Sequence, residues 1–585
     1  MLPVPVCGCQ SVRNRMCASP TFYKLVYKFR LIRIIICNVG FVVNMKRLIF
    51  CSWFILLNQL IKHGVCHSQI DYENMAFLNR TTPSDRQLYD FKLEHPEPIG
   101  VITTSSGLPV EVRDTTAMNV NQFKNQFHVD LMTDFTNPRI PERVVHAKGT
   151  GAWGYFEVTN DISKYTFADI FNGIGKKTPA FVRFSQAIQN IGGADAVREQ
   201  KALSVKFFTK EGNLDFLSLH TPVYFYRDAI NFEPFGAVIK RNPKTFRRDF
   251  TMFWDFITKR AETLHATFWL ASDYGLPNGY RKADYFPIQT YEIRNKQGER
   301  HFVRFNFRSC QGIENLPGTE AGLINARDPD YFNRDLYDSI AEKNYPAWDL
   351  EMDVLSYADV LRCDYDPFDV TRLWKKGTYH TVQIGRLTLN RNPDNFFRDV
   401  ELSALNPANL VPGIPGPIDS MFRARRFAYR QAQIHRLGIN HNRIHVNTPM
   451  YRKEYNRDGP PPVLENMKDA PDYYPNSFNG PIPYVEESRP KDSISLLQSK
   501  AIDLEPAAYF YRNYVVTEDQ KGRFVNNSIE LILPLAPYMQ RRVIRLYSLA
   551  DPDLGKRLTR GLLLAEQAPG FAPPQVLIPL KRKVL

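Results

Sequence analysis

Two stretches of the chain carry side chains whose types and spacing could do chemistry. The sharper set is Arg425-Arg426-Phe427-Ala428-Tyr429, continuing to His435-Arg436-Leu437-Gly438. A phenol with an ordinary pKa near ~10 is a poor metal ligand unless something keeps it ionised. On a helix, Arg425 lies one turn before Tyr429, and Arg436 lies two turns after it on the same stripe. Two fixed cations beside one phenol favour the phenolate, an oxygen donor that suits ferric iron. Taken alone, the pattern more often means an amphipathic helix with a snorkelling arginine and a half-buried tyrosine. The second stretch, Arg143-Val144-Val145-His146-Ala147-Lys148-Gly149, offers an imidazole whose pKa near working pH suits proton transfer. A lone histidine is more commonly structural.

The elements that must hold these groups are partly legible. At 585 residues, 43% hydrophobic and 13% aromatic, the chain can bury a large core in more than one unit. It has no heptad or solenoid repeat. Residues 69–146 are polar and aperiodic, which predicts an extended arm. From 147 to 390 a period of two dominates. Phe181-Val182-Arg183-Phe184-Ser185, Leu203 to Thr209, Phe302 to Arg308 and Thr381 to Asn390 alternate, with tight turns at Glu211-Gly212-Asn213 and Lys296-Gln297-Gly298. This predicts an antiparallel sheet or barrel, with a helical insertion over Phe250–Ala271. From 391 to about 480 the chain is rich in Asn, Pro, Arg and Tyr, and its aromatic content favours wrapping over disorder. Thr517-Glu518-Asp519-Gln520 reads as a capping box that opens helical periodicity through Leu564.

A net charge of +14 first suggests nucleic acid or an anionic membrane. Residues 1–70, however, hold nine Lys/Arg and no Asp or Glu; without those nine, the remainder carries +5. The basic character belongs to a leader at 1–68, so a nucleic-acid module is the weakest reading. Within it, Met45-Lys46-Arg47 followed by Leu48 to Leu57 has the form of a secretory signal over 45–66. Its apolar run is too short to span a bilayer, and no membrane partner is expected. An unstructured amphipathic extension is the competing interpretation. Only Cys310 and Cys363 lie outside the leader, so there is no disulfide framework. Asn79-Arg80-Thr81 and Asn526-Asn527-Ser528 are glycosylation sequons if the chain is exported.

Further motifs occur in a fixed order. Arg139-Ile140-Pro141-Glu142 precedes the histidine stretch, and Leu389-Asn390-Arg391-Asn392-Pro393 precedes the tyrosine stretch. Arg457-Asp458-Gly459-Pro460 and Asp472-Tyr473-Tyr474-Pro475-Asn476-Ser477-Phe478 come after it. Together they resemble the monofunctional haem catalases from about Thr104 to Gly480, and more weakly to the end. The resemblance implies an α+β haem catalase fold. Its parts would be a threading arm at 69–146, an eight-stranded antiparallel β-barrel at 147–390, a wrapping segment with the proximal helix at 391–507, and a C-terminal helical domain at 508–585. It also implies haem b with its iron, a homotetramer, and hydrogen peroxide as substrate, converted to water and oxygen. Tyr429 would ligate the iron, supported by Arg425. His146 would move the proton and Ser185 would orient it. Val145 would narrow the channel, Phe232 would stack near the haem, and Arg143, Arg183 and Arg436 would clamp the propionates. The end Lys583-Val584-Leu585 lacks the Ser-Lys-Leu address of peroxisomal members, so export is expected over a peroxisomal or cytoplasmic location.

Several positions depart from the family pattern. Leu219, in Ser218-Leu219-His220-Thr221-Pro222, stands where members place a distal asparagine. Losing such a donor costs ~2.7–4 kcal/mol, or about 100- to 1000-fold in rate. His220 is not expected to substitute, because adjacent strand residues face opposite ways. Gln289 and Gln433 replace histidines, Gln431 replaces an aspartate, and Arg198-Glu199-Gln200-Lys201-Ala202-Leu203 replaces the pattern at the channel entrance. In the reduced-dinucleotide pocket His265, Ser272, Trp374 and Arg308 match or nearly match. Tyr274, Asp284, Phe286 and Lys376 do not, so NADPH binding is doubtful. Two alternatives stay open: a peroxidase or organic-hydroperoxide enzyme favoured by the apolar Leu219, and a haem-binding or structural pseudoenzyme with the catalase fold.

Overall fold

The computed structural model describes residues 78, 80–116, 125–455, 457–486 and 504–567. The leader at 1–68, its signal-like segment at 45–66 and Asn79 lie outside the described residues. The chain divides into a unit at Met1–Thr82 and a unit at Pro83–Leu585, and the second holds every strand and helix named below.

Alternating sequence becomes one antiparallel sheet. Its strands are β1 (Gly149–Val158), β2 (Lys177–Gln186), β3 (Lys201–Thr209), β4 (Gly212–Leu219), β5 (Tyr291–Arg294), β6 (Arg300–Ser309), β7 (Ala347–Ser356), β8 (His380–Arg391) and β9 (Gly416–Pro417). Their order is β4-β3-β2-β1-β8-β7-β6-β5-β9. The ninth strand, beyond the eight implied by resemblance, is the two-residue β9. Bridges Leu219↔Phe286 and Tyr285↔Phe307 tie the end of β4 towards β6, so the sheet curls on itself. Both predicted turns are present, joining β3 to β4 and β5 to β6. In β1 the backbone of neighbouring strands comes so close that only glycine fits. A Cβ on Gly149 would lie 2.1 Å from the Phe184 carbonyl oxygen, and one on Gly154 would lie 2.0 Å from that of Thr388.

The two faces of the sheet bury different things. Inward residues such as Phe156, Val182, Phe184, Val205, Phe207, Phe216, Phe305 and Met352 fill the interior. Their rings interlock, as in the Phe216–Phe305 pair at 4.7 Å between centroids. That interior is packed solid, which leaves the outer face for a site. There Phe181 and Phe208 share a cluster with Val400 and Val446 from the segment after β8.

The predicted insertion is two helices, Phe250–Lys259 and Leu264–Ala271. Asp249 caps the first, accepting from the Thr251 and Met252 amides. Trp254 and Phe268 share one core with Phe510, Phe524 and Tyr547 of the C-terminal helices Glu505–Tyr514, Glu518–Ile532, Pro537–Ala550 and Pro552–Glu566. The insertion therefore seats the C-terminal helices. Thr517 and Gln520 form the capping box expected from the sequence. Asn526 falls inside that helix, with the Ser528 hydroxyl buried against the Phe524 carbonyl. Helices at Phe232–Ile239, Gly318–Arg327 and Tyr331–Ala341 interrupt the region where period-two alternation predicts strands. In the arm, helices Pro83–Glu94 and Gln126–Thr136 leave Leu88, Phe91, Leu131 and Phe135 exposed.

Candidate active site

His146 sits just before β1, in a backbone conformation with φ 62° that non-glycine residues rarely adopt. Two hydrogen bonds hold it there. Its N–H donates to the Ala187 carbonyl at 3.0 Å, and its carbonyl accepts from Arg183 Nη1 at 2.9 Å. The turn aims the ring at β2, where Nδ1 lies 3.0 Å from Ser185 Oγ. Burial, then the charges of Arg183, Arg143 and Arg425, push the imidazole down to about 3. It is neutral at any ordinary pH. Strain of this kind persists only where surrounding contacts enforce it, as they do here.

Ser185 belongs to a row that runs across the sheet. Gly149 pairs with Ser185, Ser185 with Ala202, Ala202 with Leu219, and Leu219 with Phe286. Residues paired in this way share a face, so Leu219 lies on the face that carries Ser185. Its side chain is buried with Ala202, Ile288 and Val370. His220 points the other way, as expected, and its Nδ1 accepts from the Lys201 amide at 3.0 Å.

Three guanidinium groups gather around a single carboxylate. Arg143 reaches Glu401 Oε1 at 3.0 Å and donates to the carbonyls of Val400, Glu401 and Ser403, each at 3.0 Å. Arg436 lies 3.6 Å from the Glu401 carboxylate and donates to the carbonyls of Glu401 at 2.6 Å and Ser403 at 2.8 Å. Arg183 donates to the His146 and Ala147 carbonyls, while its buried Nε has no partner among the described residues. Burial lowers Arg143 against the pull of Glu401, while burial first and the Arg143 charge next lower Arg183, and lower Arg436 to about 9. Three cations face one anion, so the cluster has room for more negative charge.

This corrects one expectation. Arg436 does not flank Tyr429 on the helix Ser420–Leu437; its guanidinium is drawn to carbonyls of the wrapping segment and to Gln433 Oε1 at 3.3 Å. Helical spacing places the two residues on one stripe, and buried carbonyls decide where the long side chain goes. Among the described residues Arg425 alone donates to the phenol, with Nη2 3.4 Å from Tyr429 Oη and the guanidinium carbon 5.3 Å from the ring centroid.

Arg425 is itself held. Its Nη1 donates to Gln289 Oε1 at 2.6 Å, and Gln289 Nε2 donates to both Asp419 oxygens at 3.1 and 3.2 Å. Asp419 caps the helix by accepting from the Phe422 amide at 2.9 Å. Gln289 thus continues a relay in which one end must donate and the other accept, a polarity that an amide shares with a neutral imidazole. Burial lowers Arg425, but the phenols of Tyr429 and Tyr291 outweigh it and raise it, so it stays charged. Phe232, 38% exposed, opens its helix with an uncovered ring, and Val145 is partly exposed beside His146. Sequence reading misses Glu401, the counter-charge to Arg143 from which it is 258 positions distant; no local signal marks it.

The dinucleotide candidates already have partners. His265 Nδ1 lies 2.7 Å from the Thr371 carbonyl, Ser272 donates to the Trp269 carbonyl, and Trp374 donates to the Pro367 carbonyl. Arg308 is paired with Asp284 at 3.0 Å and Glu351 at 2.6 Å. Tyr274 packs edge-on against Trp269 at 5.2 Å, and the Lys376 ammonium lies over the Tyr514 ring at 5.5 Å.

A family model described as Catalase matches residues 82–480. The catalase of Methanosarcina barkeri is 41% identical over 476 residues, covering 79% of this chain and 94% of that protein. Catalase-2 of Caenorhabditis elegans is 38% identical over 495 residues, covering 82% and 98%. Among solved structures, catalase A from Saccharomyces cerevisiae aligns with a TM-score of 0.73 at 32% identity, covering 79% of this chain and 99% of that one. A bacterial catalase aligns with a TM-score of 0.76 at 30% identity, covering 81% and 98%.

Proposed function

The chain belongs to the haem catalase family, and on that premise we propose that it uses haem b to decompose hydrogen peroxide to water and oxygen, with turnover reduced at Leu219. The residues suit the group. Tyr429 with Arg425 offers a charged-donor-supported phenol to ferric iron. Arg143, Arg183 and Arg436, with Glu401 the one carboxylate paired to them among the described residues, suit two propionates. Phe232 and Val145 supply the apolar edge. Once bound, the haem supplies an iron centre that one peroxide oxidises and a second reduces.

The chain's own work is proton handling. Neutral His146, oriented by Ser185 at Nδ1, takes a proton from one peroxide oxygen at Nε2 and returns it to the other. The His146–Ser185 contact, together with the Arg425–Tyr429 pair, is the observation that carries the reading. The test is haem loading followed by oxygen release. Wild type should take up haem and evolve oxygen, and His146→Ala should keep the haem but lose nearly all turnover. Failure to load haem would leave the structural pseudoenzyme reading, and haem uptake without any turnover the haem-binding one. Donor oxidation without oxygen release would favour the peroxidase or organic-hydroperoxide reading, which the apolar surroundings of Leu219 support.

Three further proposals accompany this one. NADPH binding is weak or absent, because Arg308 is neutralised by two carboxylates and Tyr274 offers no charge to a phosphate. The protein assembles as a homotetramer, which would cover the exposed Leu88, Phe91, Leu131 and Phe135 of the arm. It is exported, on the strength of the segment at 45–66.

A further inference from the structure

Tyr224 and Tyr226 come after β4 on the loop leading from Leu219, and their hydroxyl oxygens are 3.2 Å apart. Their rings meet edge to face, 4.9 Å between centroids. Tyr224 packs against Ala202, Leu219, Ile288 and Val370, the apolar patch on the face that carries Ser185. It also touches the helical core in which Tyr226 is fully buried. Ile288 adjoins Gln289, which holds Arg425, so Tyr224 lies between the Leu219 row and the tyrosine side of the site. The charge of Arg425 reaches both phenols. Neither hydroxyl has a role in the proton handling by His146 and Ser185.

We propose that the Tyr224–Tyr226 pair is a one-electron reservoir that reduces oxidised haem when a second peroxide is slow to arrive. The inference rests on the haem-dependent reading of the site. A buried phenol is readily oxidised only if its proton has somewhere to go. The one hydrogen-bond partner of Tyr226 Oη among the described residues is Tyr224 Oη, a hydroxyl that can accept its proton. One electron passes from Tyr226 to haem oxidised by one peroxide, reducing it by one equivalent. The Tyr226 O–H bond breaks and a new O–H bond forms on Tyr224, which is only partly buried and releases its own proton to solvent. A neutral tyrosyl radical remains on Tyr226. A small phenol in solution then returns one electron, and solvent returns one proton by the reverse path. Burial of Tyr226 keeps the radical from coupling with other molecules.

The experiment uses the full chain loaded with haem, treated with one equivalent of peroxide and frozen rapidly for electron paramagnetic resonance. The optical spectrum is read on the same samples. Wild type should give a tyrosyl signal whose hyperfine structure collapses when the protein carries ring-deuterated tyrosine. Tyr226→Phe should lose the signal. Tyr224→Phe, which keeps the Tyr226 ring but removes its proton acceptor, should lose it as well. A merely structural pair would leave the radical unaltered in both variants, and that result overturns the proposal. A wild-type protein whose haem is oxidised without any tyrosyl signal overturns it too. If no haem band forms at all, the haem reading itself fails, an outcome distinguishable from the other two.

Discussion

The proposed loss of turnover rests on one residue, Leu219. Its position in the row Gly149–Ser185–Ala202–Leu219 puts it on the face of the imidazole's partner, where a donor could reach bound peroxide. Leu219→Asn should speed oxygen release, by at most the 100- to 1000-fold, or ~2.7–4 kcal/mol, that one such donor supplies. The same change puts an amide among Ala202, Ile288 and Val370, so the variant should melt at a lower temperature. Equal oxygen release from the two proteins would mean that the missing donor does not limit turnover. His146 allows a pH test. Its ring, pushed down to about 3, accepts a proton only while neutral, so activity should stay flat as pH falls from neutrality and drop only near that value. Initial rates after a rapid pH jump would separate this from unfolding, and a fall centred near pH 6.5 would contradict the buried, neutral imidazole.

Among the elements, the helix Ser420–Leu437 depends on a relay outside itself. Asp419 caps it, Gln289 bridges from the loop before β5, and Arg425 delivers the final hydrogen bond to Tyr429. Gln289→Ala would leave a buried carboxylate and a buried guanidinium without their shared partner. It should cost about 3 kcal/mol of stability, read by denaturant unfolding. It should also move the iron reduction potential, read by redox titration, because Arg425 would no longer be held against the phenol. An unchanged potential would mean that the relay does not act on the ligand. The strands are legible because alternation is a local signal, and the capping box at Thr517 is local too. The helices Gly318–Arg327 and Tyr331–Ala341 are not, because they are short helical stretches set within a region where alternation dominates.

At the scale of the whole molecule, two cores meet near His265. Its Nδ1 contacts the Thr371 carbonyl, and its ring lies 5.9 Å from Phe510 of the first C-terminal helix. Burial lowers it from 6.5 to about 4 in the folded protein. Between those values the unfolded chain binds a proton that the folded chain refuses. The stability from the neutral ring is therefore complete above pH 6.5 and is lost as pH falls towards 4. Relative to a His265→Gln variant, wild type should lose about 3 kcal/mol across that interval, measured by chemical denaturation at each pH. Parallel stability curves would show that the ring is solvated. The arm belongs to this scale as well, because Leu88, Phe91, Leu131 and Phe135 stay exposed among the described residues.

Local order suffices for much of this. Motif order around His146 and Tyr429 points to the family, since each motif is a short run whose residues are neighbours in the chain. Period-two and helical patterns likewise mark the sheet and the C-terminal helices. The rest depends on residues far apart in the chain. Glu401 between Arg143 and Arg436, Gln289 between Asp419 and Arg425, Leu219 beside the Ser185 row, and Arg436 turned from Tyr429 all arise when the sheet curls and the next segment packs on its outer face. Chain periodicity fixes which face a side chain occupies within its own element. Only the closed fold decides which buried charge or carbonyl that face meets.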